Sequence, residues 1–296
     1  MNASNLEGAY TALVTPMLNA SLQLDELAER VDGQVKAGIA GLAPAGTTGE
    51  SPTLTHAEHL EVISCVVQAA AGRVPVLAGT GSNSTAEAVS LTKAADDAGA
   101  DAFLIVAPYY NKPSQDGLFN HFGAIAEITE KPIVLYSIPG RCGIEIETDT
   151  VARLHEAYPQ IQAIKEAGGS CDKVSELRRQ LGSDFSILSG DDGLTLPFIS
   201  CGAKGVISVA SNLIPEKIVQ MTALANDNDF QAAGAVHHAY HTLFRDLFVE
   251  PNPVPAKYLL KRMGLLQSDE VRLPLSRLST ENQNLLDQLA TELGLL

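Results

Sequence analysis

Positive charge is scarce in this 296-residue chain: 20 Lys and Arg stand against 35 Asp and Glu, for a formal net charge of -15. That excludes a general nucleic-acid partner, because phosphate binding needs a basic patch. With no basic amphipathic stretch to offset the charge, it also excludes an anionic membrane surface. No apolar run reaches the ~18 residues expected of a membrane span. The N-terminal MNASNLEGAYTALVTP has neither a basic start nor a long apolar run, so neither a signal nor a transit peptide is read there. The cysteines, Cys65, Cys142, Cys171 and Cys201, lie far apart and form no CxxC pair. They read as reduced thiols of a cytoplasmic protein, mostly packed in the core.

Hydrophobic residues make up 45% of the chain, enough for a sizeable core and too much for disorder. The length suits one large domain or one domain with an appendage. Short apolar runs alternate with amphipathic segments. Candidate strands are Ala9–Val14, Gly41–Pro44, Val74–Ala78, Ala102–Ala107, Ile133–Ser137, Gln162–Glu166, Phe185–Ser189 and Gly205–Val209. Most are continuously apolar, as strands buried on both faces should be. Between them, segments such as Asp25–Ala37, Ala57–Ala71, Ala86–Ala98 and Thr148–Ala157 carry a helical period. Gly38, Gly99 and Gly202 fall where helices end before strands, as left-handed caps require. The unit of roughly 30 residues matches a strand–helix repeat. The pattern predicts an α/β fold, a (β/α)8 TIM barrel, with a doubly wound open sheet as the alternative. After an eighth helix at Ile214–Ala225 only helical patterns follow, interrupted by Pro251–Pro255. The expected organisation is a catalytic barrel over 1–225 and a C-terminal helical extension over 226–296.

Barrel active sites lie at the C-terminal ends of the strands. Those ends here read Gly46-Thr47-Thr48-Gly49-Glu50, Pro108-Tyr109-Tyr110-Asn111, Tyr136 with Pro139-Gly140-Arg141, Ile164-Lys165-Glu166 and Ser189-Gly190-Asp191-Asp192. Lys165 is the strongest signal. The alternation Ile161, Ala163, Lys165 places it with small apolar residues facing the barrel mouth. Burial there disfavours the ammonium and produces the neutral amine a nucleophile needs, the bland alternative being a lysine that snorkels or pairs with an acid. Tyr136, Tyr110 and Thr47 can relay protons beside it, although each alone reads as a half-buried rim residue. Arg141, if not an ordinary loop arginine, offers a planar fork for a carboxylate. The Gly46–Gly49 turn offers N–H groups and hydroxyls to another. Gly79-Thr80-Gly81 lacks the third glycine of a dinucleotide fingerprint. His56 and His59 have metal-pair spacing but no third ligand, and His237, His238 and His241 read as helix-surface residues. Neither a metal nor a cofactor is expected.

With GTTGE at 46–50, AGTGSNST at 78–85, APYYNKPSQDGL at 107–118, YSIPGRCG at 136–143, IKEAGG at 164–169, SGDD at 189–192, GVISVASN at 205–212 and FVEPNPVPAK at 248–257, the chain resembles the dihydrodipicolinate synthase family end to end. That family belongs to the pyruvate-dependent class I lyases that include N-acetylneuraminate lyase. The resemblance implies that Lys165 forms an imine with pyruvate, that Tyr136 is the central acid/base, and that Thr47 and Tyr110 complete a relay. Tyr110 would serve a neighbouring subunit of a homotetramer, a dimer of dimers. Thr48 would hold the pyruvate carboxylate, Arg141 the carboxylate of L-aspartate 4-semialdehyde, and Gly190 and Ile207 would line the pyruvate pocket. The imine is itself the electron sink, so the implied cofactor requirement is none.

The resemblance also implies feedback by L-lysine, the end product of diaminopimelate biosynthesis, at Ser51, His56, His59, Asn83, Glu87 and Tyr109. Ser137, Gly140 and Cys142 depart from the usual asparagine, serine and threonine, and Pro52 from a small residue. Two other readings remain at this point: a sister lyase acting on a sugar acid, and a metabolite sensor on a decayed barrel. An arginine at 141 speaks against the first, and an intact nucleophile and relay against the second.

Overall fold

The computed structural model describes residues 6–296; residues 1–5, on which part of the leader reading falls, lie outside the described residues. The apolar runs become parallel strands β1 (Gly8–Ala12), β2 (Gly41–Ala43), β3 (Leu77–Gly79), β4 (Ala102–Val106), β5 (Ile133–Ser137), β6 (Ile161–Glu166), β7 (Ser186–Ser189) and β8 (Gly205–Ser208). They are ordered β2-β1-β8-β7-β6-β5-β4-β3. A parallel bridge between Leu42 and Val76 closes the ring. There Leu42 N donates to Pro75 O at 3.0 Å and Gly79 N to Pro44 O at 3.0 Å. First and last strands pair from Gly8↔Gly205 to Thr11↔Ser208.

Helices α1 (Leu24–Lys36), α2 (His56–Ala70), α3 (Thr85–Asp97), α4 (Gln115–Ala126), α5 (Thr148–Ala157), α6 (Cys171–Leu181), α7 (Thr195–Ser200) and α8 (Pro215–Asn226) each follow one strand. Their starts are written locally: Thr55 and Glu58 form a reciprocal capping box at α2, while Ser84, Ser114 and Ser170 cap α3, α4 and α6. Their ends use the expected glycines, with Gly38 at φ 83°, Gly99 at 93° and Gly202 at 102°. Helices α9 (Phe230–Asp246), α10 (Val254–Arg262) and α11 (Thr280–Glu292) complete the chain. No helix among the described residues is long and apolar enough to cross a membrane.

Strand alternation divides the core into two shells. Tyr10, Leu77, Leu104, Val134, Ala163, Leu188 and Ile207 fill the barrel lumen. Phe103, Ile105, Leu135, Ile164, Ile187 and Val206 face outward onto the helices. Both faces of each strand are therefore dry, which accounts for the continuous apolar runs.

Four local readings need correction. β3 begins at Leu77 rather than Val74, because Pro75 has no N–H to give a ladder. A register shift between β5 and β6 leaves Gln162 as an extra residue, pairing Ile133 with Ile161 but Val134 with Ala163. Ile161 consequently joins the outer shell, and only Ala163 shares the lumen face with Lys165. A small hairpin, Met17–Leu18 with Ser21–Leu22, was not expected; its turn places Asn19 at φ 52° and Ala20 at φ 61°, and alanine is a poor sequence signal for that conformation. His237 is not a surface residue: it is 8% exposed, with the rings of His238, His241 and Phe244 around it.

Candidate active site

Tyr136 and Lys165 occupy paired positions at the C-terminal ends of β5 and β6. The Lys165 ammonium nitrogen lies 4.1 Å from the centroid of the Tyr136 ring. Lys165 is only 6% exposed. Burial lowers its pKa to about 8, with Arg141 pushing the same way and the Asp192 carboxylate opposing. Burial moves the Tyr136 phenol the other way, to about 12, against a hydrogen bond with Thr47 and the nearby Arg141 charge. The pair thus contains an amine readily made neutral and a phenol kept protonated. Those are the states needed to attack a carbonyl and to donate a proton to the resulting oxyanion.

A cavity of about 220 Å³ opens above Tyr136, lined by Gly46, Thr47, Tyr109, Tyr136, Ile138 and Arg141, with Ser51 and Pro52 at one side. Arg141 stands in the helical turn Pro139–Cys142, exposed at the mouth. Thr48 is buried, and its hydroxyl oxygen accepts a hydrogen bond from Asn252 Nδ2 at 3.0 Å. Gly190 packs against the lysine stem so closely that a Cβ there would stand 3.1 Å from Lys165 Cε. Ile207 is buried in the lumen among Tyr136 and Leu188. Tyr110 is not brought to the cavity: it sits at φ 74° and is 89% exposed.

The other candidate group lies beside this cavity. His56 Nε2 is 2.7 Å from Glu87 Oε1, and Ser82 donates to the other Glu87 oxygen, which with His56 holds that carboxyl below its ordinary range. Asn83 Nδ2 donates to Tyr109 O at 3.2 Å. His59 is buried with Nε2 2.7 Å from Gly79 O, and burial lowers its pKa. His56 and His59 therefore engage different partners. Ser51 and Tyr109 line the cavity itself, so the group is continuous with the mouth above Tyr136.

A model of the dihydrodipicolinate synthetase family matches residues 5–293. The chain belongs to that family. It is 46% identical over 290 residues to the 4-hydroxy-tetrahydrodipicolinate synthase of Persephonella marina, covering 98% of this chain and 99% of that one. The structure of the enzyme of the same name from Methylacidiphilum fumariolicum superposes with a TM-score of 0.96 at 48% identity, covering 98% of this chain and 96% of that one. The Cyanidioschyzon merolae synthase crystallised with lysine bound has a TM-score of 0.96 at 40% identity, with 99% of each chain covered.

Two features of this family member's site escaped sequence reasoning. Asp192 lies within the SGDD segment but carried no assigned role. It is 1% exposed, accepts from Ser208 Oγ at 2.5 Å and from Val209 and Ala210 N at 3.0 Å each, and supplies the negative field on Lys165. The signal available was an acid next to a glycine at a strand end. Glu166, the neighbour of Lys165, faces away from the lumen and pairs with Lys173 at 2.9 Å; Lys173 also reaches Glu145 at 2.7 Å. Glu166 therefore leaves the Lys165 amine alone, an arrangement that only the pleat and α6 together create.

Proposed function

We propose that this chain condenses pyruvate with L-aspartate 4-semialdehyde to form 4-hydroxy-tetrahydrodipicolinate, with Lys165 as the nucleophile. The observation that carries the reading is the buried Lys165 amine, its pKa brought down to about 8, stacked on the protonated Tyr136 phenol. The name shared by the relatives supports it. The neutral amine attacks the pyruvate ketone; Tyr136, hydrogen-bonded to Thr47, protonates the oxyanion, regains a proton from the attacking nitrogen and gives it to the carbinolamine hydroxyl, which leaves as water. Loss of a methyl proton from the protonated imine gives an enamine whose carbon adds to the aldehyde. The substrate amine then displaces Lys165 by transimination and closes the ring. Thr48 and the backbone of its turn take the pyruvate carboxylate, while Gly190 and Ile207 shape the pocket around the keto acid. Arg141 takes the carboxylate of the semialdehyde at the mouth, where a bidentate guanidinium selects an acid over a neutral sugar.

The working unit in this reading is a cytoplasmic homotetramer in which Tyr110 completes the relay of a neighbour. The exposure of that ring supports the role. L-Lysine is the feedback inhibitor, bound by Ser51, His56, His59, Asn83, Glu87 and Tyr109; the lysine-bound relative supports this. Borohydride reduction with pyruvate, followed by peptide mass analysis and an assay coupled to aspartate semialdehyde, tests the whole. The expected result is reduced pyruvyl mass on Lys165 and turnover with the semialdehyde. Label on Lys112, or turnover only with sugar acids, would overturn it.

A further inference from the structure

The turn after β2 is held in a shape that its own residues do not sustain. Ala45 at φ 53° and Glu50 at φ 57° bracket Gly46–Gly49, and both lie in the left-handed region that side chains oppose. Such strain persists only where surrounding contacts over-determine it. Local contacts are few: Glu50 N donates to Thr47 O at 3.1 Å and Ser51 N to Gly46 O at 3.2 Å. Thr15 Oγ1 donates to Gly49 O at 2.7 Å, Thr53 N to Glu50 O at 3.0 Å, and Thr47 bonds to Tyr136, while a further set of contacts comes from the far end of the chain. Lys257, fully buried in α10, pairs with the fully buried Glu50 at 2.7 Å. Arg272 N donates to the second Glu50 oxygen at 3.1 Å. Asn252, in the loop before α10, donates from Nδ2 to Thr48 Oγ1 at 3.0 Å.

That last contact sets the polarity of Thr48. A hydroxyl has one hydrogen and two lone pairs. With a lone pair occupied by the Asn252 amide, the Thr48 hydrogen remains to be donated elsewhere, and a carboxylate accepts only. The Asn252 side chain also carries a cost. It is buried, its Oδ1 has no hydrogen-bond partner among the described residues, and a buried polar atom in that state calls for a reason. Its only side-chain hydrogen bond among the described residues is the one to Thr48. We propose that Asn252 is a positioning residue that makes Thr48 a hydrogen-bond donor to the carboxylate of the keto acid, while Lys257 fixes the other end of the same turn through Glu50.

This rests on the function proposed above, so the test reads both. Pyruvate labelling of Lys165 under borohydride is titrated in the intact protein, in Asn252→Ala, in Asn252→Asp, in Thr48→Val and in the Asn252→Ala/Thr48→Val pair. Loss of one buried hydrogen bond predicts that half-saturating pyruvate rises about tenfold in Asn252→Ala. It rises further in Asn252→Asp, where an isosteric carboxylate takes the Thr48 hydrogen and adds a like charge. Because Asn252 acts through Thr48, Asn252→Ala adds little in the Thr48→Val background. The KM of the semialdehyde and the saturated turnover rate stay within about twofold throughout the Asn252 variants. Thermal unfolding of each variant registers any loss of folding, and Asn252→Asp, matched in shape, keeps the question open to measurement if the alanine variant unfolds. Unchanged half-saturation, tolerance of Asn252→Asp, or additive effects in the pair would overturn the positioning role alone. Absence of label in the unaltered protein would overturn the proposed function and this role with it.

Discussion

Replacing Gly190 by alanine tests the steric basis of the proposed imine formation. The φ of Gly190 lies outside the left-handed region, so alanine can adopt its backbone and the added methyl alone decides the outcome. That methyl would stand 2.6 Å from Ala167 Cβ, 3.1 Å from Lys165 Cε and 3.3 Å from Glu166 O. Carbon atoms rest at about 3.5–4.0 Å, so Ala167 must retreat by roughly 1 Å and the lysine stem by roughly half that. Retreat of the two loops from each other is opposed by the bond from Gly190 N to Glu166 O at 2.8 Å. Overpacking of this kind costs ~1–3 kcal/mol, which lowers Tm by a few degrees in a chain of this size. Catalysis is more sensitive: a nucleophile misplaced by about 1 Å loses on the order of 100-fold.

The lysine stem moves by roughly half that distance, so the expected outcome for Gly190→Ala is a kcat/KM reduced by about one order of magnitude, with the borohydride trapping rate falling in step. A second variant separates the two effects. Ala167→Gly in the Gly190→Ala background removes the 2.6 Å contact and leaves the 3.1 Å contact with Lys165. Tm should recover while trapping stays slow. Wild-type trapping in the single variant, or recovery of both quantities in the double, would refute the steric reasoning.

Four further outcomes follow from the site. In the proposed reaction only the neutral Lys165 amine attacks, and burial brings its pKa to about 8, so the imine-forming rate should climb with pH and level off above that value; a rate still climbing through 10.5, the ordinary lysine value, would contradict the depressed pKa. Mixing inactive Tyr110→Phe and Lys165→Ala subunits should restore part of the activity, whereas a fully active monomer in sedimentation would exclude the shared site. Arg141→Ala should raise the KM of the semialdehyde while pyruvate imine formation survives, by the equivalent of about 2–5 kcal/mol if the bound carboxylate is desolvated, and equal damage to both substrates would make Arg141 structural. Glu87→Ala should abolish inhibition by millimolar L-lysine and leave uninhibited turnover near normal; an uninhibited parent protein would remove the premise.

Much of the fold was legible because its signals are local. Continuous apolar runs marked strands buried on both faces, and Gly38, Gly99 and Gly202 marked helix ends by a conformation that side chains oppose. The burial of Lys165 at a strand end was legible for a similar reason, a lone cation on a largely apolar strand. Illegible features depend on partners distant in sequence. The extra residue at Gln162 exists only as a mismatch between β5 and β6. Asp192 acquires its influence from amides on the loop after β8. His237 is a different case: the rings around it are those of its own helix, although its helical spacing resembles that of an exposed face. Periodicity reports which face is apolar, and it is silent about a pairing between elements remote in the chain.

The bracing of Glu50 by Lys257 has a consequence in time. The two residues are 207 positions apart, and at ~5–20 residues per second the first waits on the ribosome for roughly 10–40 s before the second is made. Over that interval the Glu50 carboxylate faces water, and β1 waits similarly for the β8 edge that pairs with it. A nascent chain halted before Asn252 already carries Lys165, Tyr136 and Thr47, yet lacks every contact that the last quarter of the protein makes to the turn beside them. Lys165 is thus synthesised well before the brace, and a chain halted before Asn252 lacks the braced turn beside it.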